Sequence, residues 1–391
     1  MHKKILILGA NNFFIDIIKE AKKLNLRVIA IDKNKNSVAK KFADEFHNID
    51  FSKTKEVIKL ARQKKINGII THQSDAGVYS VGYVNNNLKL KGPNFKISKI
   101  CSKKSSMRKY FFGHIDQPNF FIAKNDKDIF NRINNFIFPC IVKPTQGSGS
   151  RGVYIIKSKQ ELNKLKKKIK SFKSNEFIVE EFIEGIEFGS QVLVINGKIK
   201  KIFTHNDIFL DNKIPVPIGH SFPSKIDKNK IGELKVNIEK IVKKLKIDNA
   251  ALNLDFIIGN NKKIYLIEIG LRCGATCLPQ LIRYHSGINW ERLIVKMAMN
   301  LRIKKEELFQ KYNRPVAGEI LLSKRSFKLK NYFFPKKNKN IIKIELDKKP
   351  EFKVNKFQNG TDRFGYIITK GKKIDEAESI CKKIKKKIRF N

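Results

Sequence analysis

The sequence predicts a mixed α/β and α+β protein. An N-terminal doubly wound parallel sheet is followed by a small strand-rich lobe, a larger strand-rich lobe and a small C-terminal α+β appendage. Three observations lead there. The first hundred residues alternate short apolar runs with segments of helical periodicity, the order that builds a parallel sheet. A glycine- and serine-rich loop, 146–152, sits between two short strands in the middle of the chain. Beyond residue 186, short strands dominate and two of them are joined by a tight turn at Gly259-Asn260-Asn261.

The elements follow in order. Ile5–Leu8 reads as a buried strand, and Gly9-Ala10-Asn11 as the turn that ends it. Phe14, Ile17, Ile18, Ala21 and Leu24 recur at helical spacing, and Arg27–Ile31 is a second strand ending at Asp32. A helix near 54–64 leads to a third strand, Gly68–Thr71. With one fingerprint glycine where a dinucleotide loop has three, the first turn reads as an ordinary strand-to-helix connection. The pattern loosens over 93–125, where Pro93, Gly113 and Pro118 interrupt it. Strands are expected at 138–144, 153–156 and 176–181, with a lysine-rich helix at 159–171. Further strands are expected at 188–195, 198–203, 250–258 and 263–269, helices at 229–246 and 289–300, and a closing amphipathic helix at 375–388. The expected domains are 1–103, 104–185, 186–314 and 315–391.

Composition narrows the class. At 391 residues, 41% hydrophobic and 30% charged, the chain can bury two or three cores and is not disordered. Lys+Arg total 82 against 36 Asp+Glu, a net charge of +46. Such a field attracts nucleic acid, anionic membrane or polyanionic metabolites. Lys, Asn, Ile and Phe share A/T-rich codons, however, so genome bias is the simpler source of the excess. No aromatic-interleaved basic motif, zinc spacing or helix-turn-helix supports a nucleic-acid binder. The five cysteines, Cys101, Cys140, Cys273, Cys277 and Cys381, are odd in number and scattered, which fits free thiols in a reducing cytoplasm. No stretch approaches the ~20 apolar residues that cross a bilayer. A soluble cytoplasmic protein with no membrane partner is expected.

Three groups of residues suggest chemistry. Lys143 ends a strand just before Gly147, Ser148, Gly149, Ser150 and Gly152. Such a loop can turn main-chain N–H groups onto an anion, or it can be a flexible hairpin. Next, Val179-Glu180-Glu181-Phe182-Ile183 ends a strand in acids and is followed by Glu187. It can present main chain to a purine edge and a carboxylate to ribose hydroxyls, or be a solvated linker. Last, Asp255 and Glu268 are acids embedded in apolar strands joined by one turn, with Arg272 shortly after. Two carboxylates on one buried face repel unless a cation lies between them, and hard oxygen ligands suit Mg²⁺; the alternative is two exposed acids on an edge hairpin. Arg272 offers a planar fork for a carboxylate or phosphoryl group. His220 could line an acceptor loop, with Asp207 and His205 as weaker candidates, and Arg283 and Arg363 could recognise a substrate carboxylate or serve the surface. Cys273 reads as a packing thiol, since no histidine stands near it in sequence.

The order of these pieces resembles the ATP-grasp superfamily. Lys104-Ser105-Ser106-Met107-Arg108, Val142-Lys143-Pro144 with its loop, Glu180-Glu181-Phe182-Ile183 with Glu187, and Asp255 with Glu268 and Arg272 occur in sequence, and Asp362-Arg363-Phe364-Gly365-Tyr366 closes the match. Within the superfamily, Gly270-Leu271-Arg272-Cys273-Gly274-Ala275-Thr276-Cys277-Leu278-Pro279 makes the chain similar to the carboxylate–amine ligases and the carbamoyl-phosphate-synthetase-like proteins. The resemblance implies a pre-ATP-grasp domain and a two-lobed ATP-grasp fold. It implies that Lys104 and Lys143 contact ATP phosphates under the 147–152 loop, that residues 180–183 hold adenine and that Glu187 binds ribose. It further implies that Asp255 and Glu268 bind Mg²⁺, with Mn²⁺ as a substitute, and that Arg272, Lys143 and Glu268 serve catalysis. Many members carry Asn two residues after the metal Glu, whereas this chain has Gly270, so a second metal ligand is missing or replaced.

The implied activity is a ligase that activates a carboxylate as an acyl phosphate and passes it to an amine. Its partners would be small-molecule substrates, with a homodimer as an allowed assembly. The alternatives are carboxylation of biotin or a nucleotide precursor through carboxyphosphate, a basic nucleic-acid-binding protein, and a non-catalytic ATP binder.

Overall fold

The computed structural model describes residues 2–147, 149, 151–171, 174–210, 216–336, 338–347 and 349–390. Four parallel strands open the chain, in the order Glu45–His47, Arg27–Ile31, Lys4–Leu8, Gly68–Thr71. Their near-continuous apolar sequences are explained by burial on both faces. Ile5, Ile7, Val28 and Ala30 pack toward helix Ile15–Lys23 and helix Trp290–Ala298. Leu6, Leu8, Ile29 and Ile31 pack on the other side, against Val57, Ala61, Val81 and Val84. The sheet is doubly wound, as expected. The three-residue strand Glu45–His47 was not expected, and its half-buried residues carry no apolar run to announce it.

The loose stretch before residue 125 contains two short helices, Phe95–Cys101 and Lys104–Phe111, and the strand Phe120–Ala123. Pro93, Gly113 and Pro118 fall between these elements. They punctuate structure here rather than break it. The strand Phe120–Ala123 joins Phe177–Glu181, Cys140–Pro144 and Tyr154–Ile156 in a four-stranded sheet backed by helices Asp126–Arg132 and Lys159–Ser171.

The remainder is organised by one eight-stranded sheet. Its order is Ile264–Gly270, Ala250–Gly259, Gly185–Ile195, Lys198–Phe209, Pro217–Phe222, Val316–Leu321, Gly365–Lys370, Ile341–Leu346. The C-terminal α+β segment is thus fused to this sheet by main-chain pairing, and its closing helix Ile374–Lys387 packs inward through Ala377, Cys381 and Ile384. One expectation is corrected here. His220 lies on the strand Pro217–Phe222 and not on a loop. The helix Leu278–Ser286 is a further element beyond those expected from the sequence. In 204–222 the buried polar residues His205, Asp207 and His220 replace the apolar half of the strand alternation, which hides the pattern from a hydropathy reading.

One face of this sheet is apolar. Phe188, Val192, Leu252, Leu254 and Phe256 cover it and meet Leu234, Ile238 and Ile241 of helix Lys228–Leu245. The opposite face follows from the register. Glu268 pairs with Asp255, Asp255 with Gly189, Gly189 with His205, and Asp207 with His220. Directly paired residues share a face, so an apolar face and a polar face alternate along the same strands.

A single buried guanidinium joins the two large elements. Arg108, fully buried, donates from Nε to Glu180 Oε1 at 2.9 Å, in the four-stranded sheet. Its other nitrogens donate to the carbonyls of Leu266 (2.9 Å) and Ile267 (3.0 Å), on the edge strand of the eight-stranded sheet. Removing one partner of a buried ion pair typically costs several kcal/mol. Arg108→Met should therefore lower unfolding free energy by about 3 kcal/mol. Urea denaturation checks this, and a loss below about 1 kcal/mol, the range of an exposed pair, would contradict it.

Candidate active site

Between the two sheets lies a cavity of about 300 Å³. Ile141, Val153, Ile155, Phe182, Ile183, Ile257 and Ile267 give it apolar walls wide enough for a planar ring. Lys104, Lys143, Glu180, Glu187 and Glu268 bring charge to it, and Gly147, Gly149 and Arg151 close one side. An apolar slot with a few convergent polar groups is the usual form of a small-ligand site.

The charges are ordered. Lys104, the first residue of its helix, places Nζ 2.9 Å from Glu268 Oε1 and 3.0 Å from the Gly147 carbonyl. It ties the glycine loop to the far sheet. Burial opposes its charge, but Glu268, Asp75 and Glu180 hold its pKa above the ordinary lysine value. Lys143 Nζ lies 2.6 Å from Glu180 Oε2. Glu180 is buried, which pushes its carboxyl up, but Arg108 and Lys143 together hold it down at about 2. One carboxylate therefore serves two cations. Burial, with the charges of Arg108 and Lys104, lowers the Lys143 pKa against the pull of Glu180.

The carboxylates of the opposite wall are crowded. Burial, followed by the charges of Asp207 and Glu268, raises Asp255 well above the usual carboxylate range. A cation fits this donor set: hard oxygens on paired strands, mutually repelling, with Asp255 already oriented by the Asn253 amide at 2.9 Å. Glu187 opens onto the cavity. The surrounding protein and the Asp207 charge push its carboxyl up to about 7, against the pull of Lys143. Gly270 stands directly across from Asn253, and a Cβ there would come within 3.1 Å of Arg272 Cζ. The Arg272 guanidinium thus lies against the space that a side chain at position 270 would take.

Of the residues expected in the site, Lys104, Lys143, Gly147, Gly149, Glu180, Glu181, Phe182, Ile183, Glu187 and Glu268 line one cavity. Asp255 adjoins them by register, and Gly152 belongs to the loop, with a left-handed φ of 74°. Ser148 lies outside the described residues. Arg272 donates from Nε and from a terminal nitrogen, each at 2.8 Å, to the two oxygens of Asp75 in the N-terminal sheet unit. Arg283 and Arg363 do not line the cavity. Arg283 bonds Asn289 (2.7 Å) and Glu291 (3.2 Å), while Arg363 pairs with Asp347 and covers the Phe13 ring at 3.6 Å.

Several residues escaped the sequence reading. Arg108 was part of a motif with no assigned task. Asp75 had no signal. Cys273 does have a histidine: its Sγ is 2.9 Å from Nδ1 of His72, from a distant part of the chain. Burial raises that thiol to about 12, so it remains a packing group. His205, Asp207 and His220 were candidates in the sequence, but not as a group: they form a compact cluster whose ligating atoms all lie within 4.8 Å of one another. Period-two polarity within apolar strands, at Glu187, Gly189 and Gln191 and at Asn253 and Asp255, is the signal that could have located this face.

The comparisons with known proteins agree with the geometry. A family model described as an ATP-grasp domain matches residues 136–280. The formate-dependent phosphoribosylglycinamide formyltransferase of Saccharolobus solfataricus is 22% identical over 394 residues, spanning 96% of this chain and 94% of that one. Among solved structures, phosphoribosylglycinamide synthetase from Anaerococcus prevotii superposes with a TM-score of 0.81 at 28% identity, covering 100% of both chains. L-amino acid ligase from Bacillus licheniformis gives 0.83 at 16% identity over 100% of this chain and 98% of that one, a likeness of fold. A cleft between two sheets, lined by paired lysines and facing strand-borne acids, lies mostly within the stretch of this chain that is similar to an ATP-grasp domain.

Proposed function

We propose that this protein is an ATP-dependent ligase that activates a carboxylate as an acyl phosphate and transfers the acyl group to an amine, releasing ADP and phosphate. The observation that carries the reading is the convergence of Lys104, Lys143 and Glu268 on one cleft, with Asp255 in register beside Glu268. The names of the relatives, which include a formate-dependent formyltransferase and an L-amino acid ligase, support the same chemistry.

Adenine would occupy the apolar slot against Ile141, Ile155, Phe182, Ile183 and Ile257. The N–H groups of Glu181 and Phe182 are engaged by the carbonyls of Asn119 and Pro139, at 2.9 and 3.1 Å. The segment that meets the purine edge is thereby rigid. Glu187 would accept ribose hydroxyls. Lys104 and Lys143 would take the phosphate charge, and the 147–152 loop would fold over it. Asp255 and Glu268 would hold Mg²⁺, or Mn²⁺ in its place, which supplies charge neutralisation on phosphate oxygens.

The chain's own contribution is positioning and charge. In the first step a substrate carboxylate oxygen attacks the γ-phosphorus and ADP leaves. In the second the amine attacks the acyl carbon and phosphate leaves. Arg272 would meet the carboxylate; both arms of its fork now hold the carboxylate of Asp75, so the substrate must compete with that pair. The four-stranded lobe, proposed as the 104–185 unit, would close over the nucleotide and keep water from the acyl phosphate.

Three outcomes are expected. Glu268→Gln should abolish carboxylate-dependent ADP release, by at least about 100-fold, with an unchanged thermal midpoint, since preorganised charge contributes at that scale; a coupled ADP assay and a melting curve check it. Lys143→Met should raise the apparent KM for ATP by about 10-fold or more, as loss of one charge-assisted contact implies. Wild-type enzyme with ATP, hydroxylamine and a panel of formate, bicarbonate and amino acids should yield a hydroxamate from one member of the panel. Absence of both ADP and hydroxamate across the panel would count against the reading.

A further inference from the structure

The cluster of His205, Asp207 and His220 stands apart from the nucleotide cavity but on the same sheet face as Glu187, Asp255 and Glu268. Its atoms are close enough to suggest a second metal site. The hydrogen bonds decide otherwise, because their direction is fixed from both ends.

The chain of contacts begins at Asp255. Asn253 Nδ2 donates to Asp255 Oδ1 at 2.9 Å, so its Oδ1 turns the other way and accepts from Gln191 Nε2 at 2.5 Å. The Gln191 amide cannot be reversed, since its Oε1 accepts the Gly274 N–H at 2.7 Å. Its remaining N–H faces His205 Nε2 at 3.4 Å, which must therefore offer a lone pair. A neutral imidazole carries one proton, so that of His205 is on Nδ1. Nδ1 lies 3.0 Å from Asp207 Oδ1, close but off the hydrogen-bond direction. The same oxygen accepts from His220 Nδ1 at 2.7 Å. Asp207 thus accepts a hydrogen bond from His220 and faces the Nδ1 of His205 without one. Both Nδ1 atoms that face Asp207 carry protons, so the cluster is held together by charge and hydrogen bonding in this arrangement.

Gly189 is what allows this arrangement. A Cβ at that position would sit 2.5 and 2.6 Å from Cε1 and Nε2 of His205, so the ring lies directly over the strand between Asp207 and Asp255. The consequence falls on His220. With Nδ1–H committed to a carboxylate, its Nε2 carries a bare lone pair, the form of a histidine base oriented by an acid.

We propose that His220 Nε2 is the proton acceptor of the transfer step, taking the proton from the incoming amine while Asp207 holds the ring and balances its charge; this rests on the ligase reading above. An amine nucleophile arrives protonated near neutral pH and attacks only as the free base. As the N–C bond forms, the acyl C–O bond to phosphorus breaks and phosphate leaves with that electron pair. The N–H proton passes to His220 Nε2 and then to solvent. His220 would act on the amine directly. Gln191 and His205 are positioning residues that keep the chain polarised.

Two measurements on the full-length protein test this. Long-range ¹⁵N–¹H spectra of histidine-labelled protein should show His205 and His220 as Nδ1–H tautomers with unprotonated Nε2. An Nε2–H tautomer at His220, or displacement of these signals by one equivalent of Zn²⁺, would overturn the proposal. In the second, ATP and formate are supplied with methylamine, which is a cation at pH 7.5, or with hydroxylamine, which is neutral there. His220→Gln should reduce the preference for methylamine over hydroxylamine by on the order of 100-fold, the range of general base catalysis. An unchanged preference would also overturn it. Absence of hydroxamate from wild-type enzyme would instead count against the ligase reading with formate, leaving the tautomers to decide the role of His220.

Discussion

The architecture turns on a carboxylate shared between two cations. Glu180, buried in the four-stranded sheet, bonds Arg108 on one oxygen and Lys143 on the other. Arg108 carries the connection onward to the carbonyls of Leu266 and Ile267, directly before Glu268. One ionic network thus aligns the cavity-facing lysine with the strand that bears the opposing acid. Buried ion pairs are weak sources of net stability, but they fix relative placement, because any misalignment leaves a charge unpaired in low dielectric. Here the placement concerns two sheets whose interface is the cleft itself.

Seen from this network, Glu180 does a different kind of work from Glu187. Both acids lie on the cavity wall within one short segment. The first is held ionised by two cations and organises the wall, whereas the second opens onto the cavity, with its charge disfavoured by the surrounding protein and by Asp207. Type and spacing alone do not separate such roles. The difference comes from which partners arrive from other elements, and those partners are tens of residues away in sequence.

That distinction sets how much was legible beforehand. The parallel sheet was readable because Leu6, Leu8, Ile29 and Ile31 and their neighbours leave no polar residue to argue with. The glycine loop, the lysines and the strand-borne acids were readable because each breaks the local pattern in a way that calls for a ligand. The strand Pro217–Phe222 was not, since His220 and Ser221 disguise a buried strand as a polar turn. Nor were Arg272's grip on Asp75 and Cys273's contact with His72, each spanning about two hundred residues of chain. The +46 charge, so prominent in composition, has little part in the fold: the cavity depends on a few lysines with assigned acids, and most others lie on the surface.

The alternation of the strand Gly185–Ile195 carries a last implication. Glu187, Gly189 and Gln191 point one way, Phe188 and Val192 the other, and from Phe188 onward the strand is paired through its backbone on both sides. A single inserted or deleted residue in this strand would rotate every side chain beyond it by half a turn. Phenylalanine and valine would then face the acids, and the carboxylate and amide would be driven into the oily layer under helix Lys228–Leu245. Drift in length among descendants of this sequence should therefore accumulate at the turns that join these strands, while the strand itself can exchange residues only in kind.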